Sequence, residues 1–222
     1  MKTKTIPISF SRLALREGFE TVLTVAMVCN DLAVADVSMS RYGEMSSLAL
    51  SHIKRGAAMY FMKMSCGHLQ EGMKAIEKIT QSCELRALVD RCGPRAQTGF
   101  TDLCGCLKKG AEHGQFEKYV GSIRNRVAFH YDPSMLRSAV DRRTAGHGAT
   151  TGFMTVGEDI RSCRFEFADD ILDTIVCRKF WHIPDEADVR LEADRITGWC
   201  DGKRKSFLWF AEELVPRFLQ EH

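Results

Sequence analysis

The run Ile123-Arg124-Asn125-Arg126-Val127-Ala128-Phe129-His130-Tyr131-Asp132 sets two arginines, a carboxamide and a histidine within a few helical turns. An imidazole near neutral pH can take or give a proton, and a guanidinium can grip a phosphate through two parallel, charge-assisted bonds. Together they meet the minimum for in-line attack of an RNA 2′-hydroxyl on the adjacent phosphate. One group moves the proton and the other holds the developing charge.

These residues need an element that aims them. The spacing from Glu112 to Tyr131 predicts a helix, with Phe116, Tyr119, Val120, Ile123 and Val127 on one apolar stripe and His130 inside it. Asp132-Pro133 should end that helix, because the residue before proline is pushed out of the α region. His130 then lies in the last turn, where the helix dipole favours a protonated ring. Arg126 flanks the same face, and Arg124 diverges from His130 by roughly 120° around a regular axis, so the two border a shared groove. The same residues fit a second pattern, a packed histidine on an apolar face beside a solvated arginine surface.

Arg124-Asn125, four residues, then His130 resembles the Arg-x(4–6)-His signature of the HEPN superfamily, including the polar residue often found just after the arginine. The whole run is similar to HEPN-type proteins of abortive-infection and toxin–antitoxin modules. That resemblance implies an all-helical bundle that dimerises and brings two copies of the motif into one cleft. It also implies metal-independent RNA cleavage leaving a cyclic phosphate, without a cofactor. Carried over, Arg124 is the phosphate-contacting arginine, Asn125 the polar orienting residue and His130 the catalytic histidine. Arg126, Tyr131 and Asp132 are candidates for positioning substrate, and Asp132 is equally a turn residue before proline. The partners implied are RNA, a second copy of the chain and an antitoxin protein. Many proteins of this fold are not catalysts, so the alternative is a helical module that binds RNA, a nucleotide or a protein. A small-molecule-responsive regulator with a pocket in the bundle is a third reading.

The remainder of the chain fits an all-α bundle. Its 222 residues are 45% hydrophobic and 27% charged, enough for one sizeable core, and the net charge of +2 requires any RNA contact to come from a local patch. Candidate patches are Arg124, Arg126 and Arg142-Arg143 on one rim. Lys108-Lys109 and Lys203-Arg204-Lys205 read as solvated helix ends. Helical spacing covers Ser11 to Tyr42, as one long helix or two broken near Asn30-Asp31, with Gly43 as a stop, and then Glu44–Cys66, Leu69–Ile79, Cys83–Arg91, Phe100–Lys109, Pro133–Arg143, Asp169–Trp181, Glu186–Trp199 and Lys205–Leu219. Gly67 and Asp201-Gly202 are expected breaks. A small hairpin could join Phe153–Val156 to Cys163–Phe167. We expect a single domain over 1–222, with the helices after about 150 as an appended subdomain.

The apolar stretch Val22–Val28 is far shorter than the ~20 residues of a membrane span, and no export signal is visible, so no membrane partner and a cytoplasmic location are expected. Nine cysteines suit free thiols in a reducing compartment. Cys104-Gly105-Cys106 with His113 lacks the second ligand pair of a structural zinc site, so no metal is assigned.

Overall fold

The computed structural model describes residues 5, 7–44, 51–125, 132–146, 151–156 and 165–220. It is an all-α bundle, with no strand or sheet among those residues. A single turn, α1 (Phe10–Leu13), leads into α2 (Phe19–Glu44). The long α3 (Ser51–Gln81) follows, then α4 (Cys83–Asp90) and α5 (Pro94–Cys104). The motif segment begins with α6 (His113–Phe116) and widens into a π-helical turn at Glu117–Gly121. α7 (Pro133–Thr144), α8 (Glu166–Thr174) with its own π-helical continuation at Ile175–Phe180, and α9 (Val189–Gln220) complete the chain.

The core forms where α2 packs along α3, and α9 lies against α2 and α5. From α2 come Val22, Val25, Val28 and Leu32; α3 adds Leu69, Met73, Ile76 and Ile79; α9 adds Phe207, Phe210, Leu214 and Phe218. Two glycines let these helices approach closely. A methyl group at Gly72 would fall 2.5 Å from the Phe207 ring, and one at Gly99 would fall 2.5 Å from the Ser206 carbonyl oxygen. The ring at Gly72 can shift, whereas the α9 backbone at Gly99 cannot. Gly99→Ala should therefore cost about 1–3 kcal/mol, the usual range for overpacking, and lower the thermal midpoint measurably in a circular-dichroism melt.

Several expected breaks are absent. Gly67 is buried within an unbroken α3, because packing of its neighbours Cys66 and Leu69 outweighs the roughly 1 kcal/mol intrinsic cost of an internal glycine. α9 runs straight through Asp201-Gly202, with Asp201 paired to Arg204 and to Lys205 (2.7 Å) along the same helix. α2 is the single long helix of the two readings, continuous through Asn30-Asp31, and it runs one residue past the stop expected at Gly43. This corrects the short apolar stretch read above. Phe19–Arg41 spans 23 residues and holds an 18-residue window of mean hydropathy 1.6, long and apolar enough by length and composition to cross a membrane, and 28% of that window is buried. Two of its acids are tied into the bundle, Asp31 to His68 and Asp36 to Arg204.

The expected hairpin is likewise corrected where it can be seen. Glu166 and Phe167 start α8 and are not strand; the Phe167 amide donates to the Phe153 carbonyl at 2.9 Å, and the Thr155 hydroxyl donates to Glu166 at 3.1 Å. Residues 157–164 lie outside the described residues, as do 147–150 of the glycine-rich loop. The cysteines among the described residues are all free thiols.

Candidate functional site

The motif segment is anchored at its start by a buried charge network. Lys203 on α9 is 5% exposed and places its ammonium 2.5 Å from Asp102 on α5 and 2.8 Å from Glu112, just before α6. Ser206 donates its hydroxyl to Asp102 at 2.7 Å, and the Trp199 indole N–H donates to Glu112 at 3.1 Å. Burial alone would lower the Lys203 pKa, but its hydrogen bonds to the two carboxylates outweigh it and hold the ammonium above its ordinary value. Arg204 is also buried, held by Asp201 and Asp36. The basic run read as a solvated helix end is thus the opposite, two internal cations with carboxylates on facing helices. Nothing local in Lys203-Arg204-Lys205 reveals those partners.

From Glu112 the segment follows the expected stripe, with Phe116, Tyr119, Val120 and Ile123 all buried. Tyr119 meets the Trp199 ring edge-on at 5.6 Å and accepts a long bond from Arg195 at 3.4 Å. The turns are not uniform. The π-helical turn at Glu117–Gly121, tied by the Ser122 hydroxyl donating to the Glu117 carbonyl at 2.9 Å, is followed by another wide turn at 124–125. Such widenings are rare and concentrate at functional sites.

Arg124 emerges from this segment at the bundle surface. Its guanidinium donates to Glu71 on α3 at 2.8 Å and to the Asn125 side-chain oxygen at 3.0 Å. Glu71 also accepts from Lys74 at 2.6 Å. The hydrogen bond from Lys74 is the main cause that keeps the Glu71 carboxyl below its usual value; burial opposes it, and the bond from Arg124 adds a further, smaller lowering. Two cations share one carboxylate, which leaves a net positive spot with Asn125 orienting the fork. One turn earlier on α3, His68 holds its Nδ1 3.1 Å from the Asp31 carboxylate of α2. A carboxylate on one ring nitrogen fixes the ring and leaves the other nitrogen for a second partner, an arrangement general-base histidines use. His68 and Glu71 stand three apart on α3, neighbours at roughly 5–6 Å between Cβ atoms, with His68 paired to α2 and Glu71 to the motif segment.

Of the residues expected from sequence, Arg124 and Asn125 are brought together. Asp132 caps α7, accepting from the Ser134 amide at 2.8 Å and hydroxyl at 2.7 Å, and those bonds lower its pKa. That is the turn role weighed for it. Arg126, Val127, His130 and Tyr131 lie outside the described residues. Asp31, His68 and Glu71 were missed, because their partners stand dozens of positions away and no local spacing joins them.

The other half of the expected rim is engaged by partners of its own. Arg143 donates to Thr174 at 3.1 Å and to the Asp170 carbonyl at 2.9 Å, and Arg142 pairs with Asp185. Arg178 donates to the carbonyls of Ile183, at 2.8 Å, and Pro184. These cations bind a tight turn in which His182 takes φ = +52°, a sparsely populated value for a side-chain-bearing residue. Cys104 and Cys106 form no ligand cluster. Cys106 is buried, desolvation pushes its thiol up to about 12, and His113 contacts its carbonyl oxygen at 3.2 Å. No group of three or more His, Cys, Asp or Glu side chains among the described residues is placed to hold a metal ion. A cavity of about 270 Å³ between α2, α3 and α9, walled by Met39, Met62, Leu69 and Val120, is the one the small-molecule reading would use.

Comparison of the chain with family models, with curated proteins and with solved structures finds no match.

Proposed function

We propose that the protein is a metal-independent endoribonuclease of the HEPN kind, with Arg124 as phosphate clamp and His130 as catalytic histidine. The observation that carries the reading is the Arg124 fork, steered by Asn125 and Glu71 at the bundle surface. In the proposed reaction the 2′-oxygen attacks phosphorus, the bond from phosphorus to the 5′-oxygen breaks, and a 2′,3′-cyclic phosphate forms. One imidazole accepts the 2′-hydroxyl proton and a second donates a proton to the departing 5′-oxygen. His130 takes one of these roles by resemblance, and His68, paired with Asp31, is the candidate for the other. Arg124 stabilises the charge gathering on the phosphate. A phage-defence or toxin role, held in check by an antitoxin protein, is part of the same proposal, as is a cytoplasmic setting.

The second reading, a non-catalytic RNA-binding module, uses the same Arg124 spot without proton transfer. A short RNA and its counterpart carrying a single 2′-deoxy substitution separate the two in the presence of EDTA. The nuclease binds both and cuts only the all-ribose strand; a binding module binds both and cuts neither. His68→Ala should slow cleavage roughly 10²-fold, the low end of what one acid–base group supplies, with RNA affinity retained in a filter-binding assay. An undiminished rate in that variant removes His68 from the mechanism.

A further inference from the structure

The face of α2 opposite its core contacts carries Leu23, Met27, Val34 and Val37 at 44%, 59%, 65% and 49% exposure. With Glu20, Asn30 and Arg41, all exposed, they recur at alternating spacings of three and four residues from 20 to 41. This is the seam spacing of a helix that packs along another helix. The ends are opposite in charge. Glu20 stands at the amino end and Arg41 at the carboxyl end, and neither enters an ion pair among the described residues. In a parallel pair of such helices, like charges would meet at both ends. In an antiparallel pair centred at Asn30-Asp31, Glu20 meets Arg41, Met27 meets Val34, Leu23 lies by Val37, and Asn30 faces its own copy. The seam is complementary to itself, as a two-fold interface requires.

We infer that α2 is the homodimer interface of this protein, pairing antiparallel with α2 of a second copy. Asn30 at the centre sets the register, as a lone polar seam residue does in coiled coils. The dyad runs perpendicular to the plane of the two helices, so it keeps features of one flank on one side of that plane. Asp31 lies about 100° round from Asn30, on the flank toward α3. Both Asp31–His68 pairs therefore face each other across the axis, with the Glu71–Arg124 pairs one turn along α3. That shared cleft has its meaning only if the ribonuclease reading holds; the pairing itself stands on α2 alone.

Sedimentation equilibrium of the full chain tests the pairing. Wild type should be dimeric at ~10 µM, a concentration at which a micromolar association is largely formed. Met27→Glu/Val34→Glu should weaken dimerisation ~100-fold or more, through charges forced into an apolar seam, with an unchanged far-ultraviolet spectrum because both positions are exposed. Glu20→Arg and Arg41→Glu should each weaken it several-fold, roughly the worth of one exposed charge pair, and the double reversal should restore it. A monomeric wild type overturns the inference, as does a dimer indifferent to Met27→Glu/Val34→Glu. Flotation of monomeric wild type with phosphatidylcholine vesicles, lost in the same double variant, would assign the stripe to a bilayer instead. A dimer that obeys these substitutions but cuts no RNA keeps the interface and removes the nuclease.

Discussion

Arg124→Ala should slow RNA cleavage by roughly two to three orders of magnitude while leaving the fold almost untouched. Removing a group that stabilises transition-state charge costs on the order of 10²- to 10³-fold in rate, or about 3–4 kcal/mol. The structural cost is far smaller. Arg124 and Glu71 are 38% and 41% exposed, and Lys74 remains on Glu71 when Arg124 is gone, so stability should change by less than about 1 kcal/mol. Arg124→Lys keeps the charge but loses the planar fork that Asn125 and Glu71 hold, and should recover only part of the rate. Initial rates on a fluorogenic RNA, paired with thermal melts, check both halves. Equal losses of rate and stability would instead mean that Arg124 acts by holding the motif segment to α3.

The largest effect on stability is expected at Lys203. Lys203→Met leaves Asp102 and Glu112 facing each other in a half-buried site with no cation between them, and breaking such a network typically costs about 3–5 kcal/mol. That is a large share of the ~5–15 kcal/mol that holds a domain together, and it should lower the melting midpoint by roughly 10 °C or more. The pH dependence has a definite sign. The Lys203 pKa is raised in the folded protein, so its contribution is complete below the unfolded lysine value and is lost as pH rises through the folded one. The wild type should thus lose stability on the alkaline side more steeply than Lys203→Met, as urea titrations at pH 8 and pH 11 would show. A midpoint within about 2 °C of wild type would mean that the network adds little net energy.

These predictions rest on features of unequal visibility in the sequence. The all-α class and the buried stripe Phe116, Tyr119, Val120 and Ile123 follow from spacing, because one apolar face per helix has a period that needs no partner to be seen. Asp132-Pro133 likewise announces its own cap. Gly67 and Asp201-Gly202 mislead because glycine is a weak local breaker, overridden when both flanks pack into a core or pair along the helix. Lys203 and Arg204 mislead more deeply. A charge run looks the same whether its neighbours are water or carboxylates on facing helices. The Arg124-Asn125 pair was legible, being adjacent in the chain, whereas His68 became a candidate only once α2 brought Asp31 to it.

The most direct test of the central claim, that Arg124 and an imidazole act on one phosphate, is the chemistry of the RNA ends left in EDTA. Mass spectrometry of wild-type products should find 2′,3′-cyclic phosphate and 5′-hydroxyl ends, and intact RNA with folded Arg124→Ala or His130→Ala. Products carrying 5′-phosphates, or the same cyclic ends from Arg124→Ala at an unreduced rate, would contradict it.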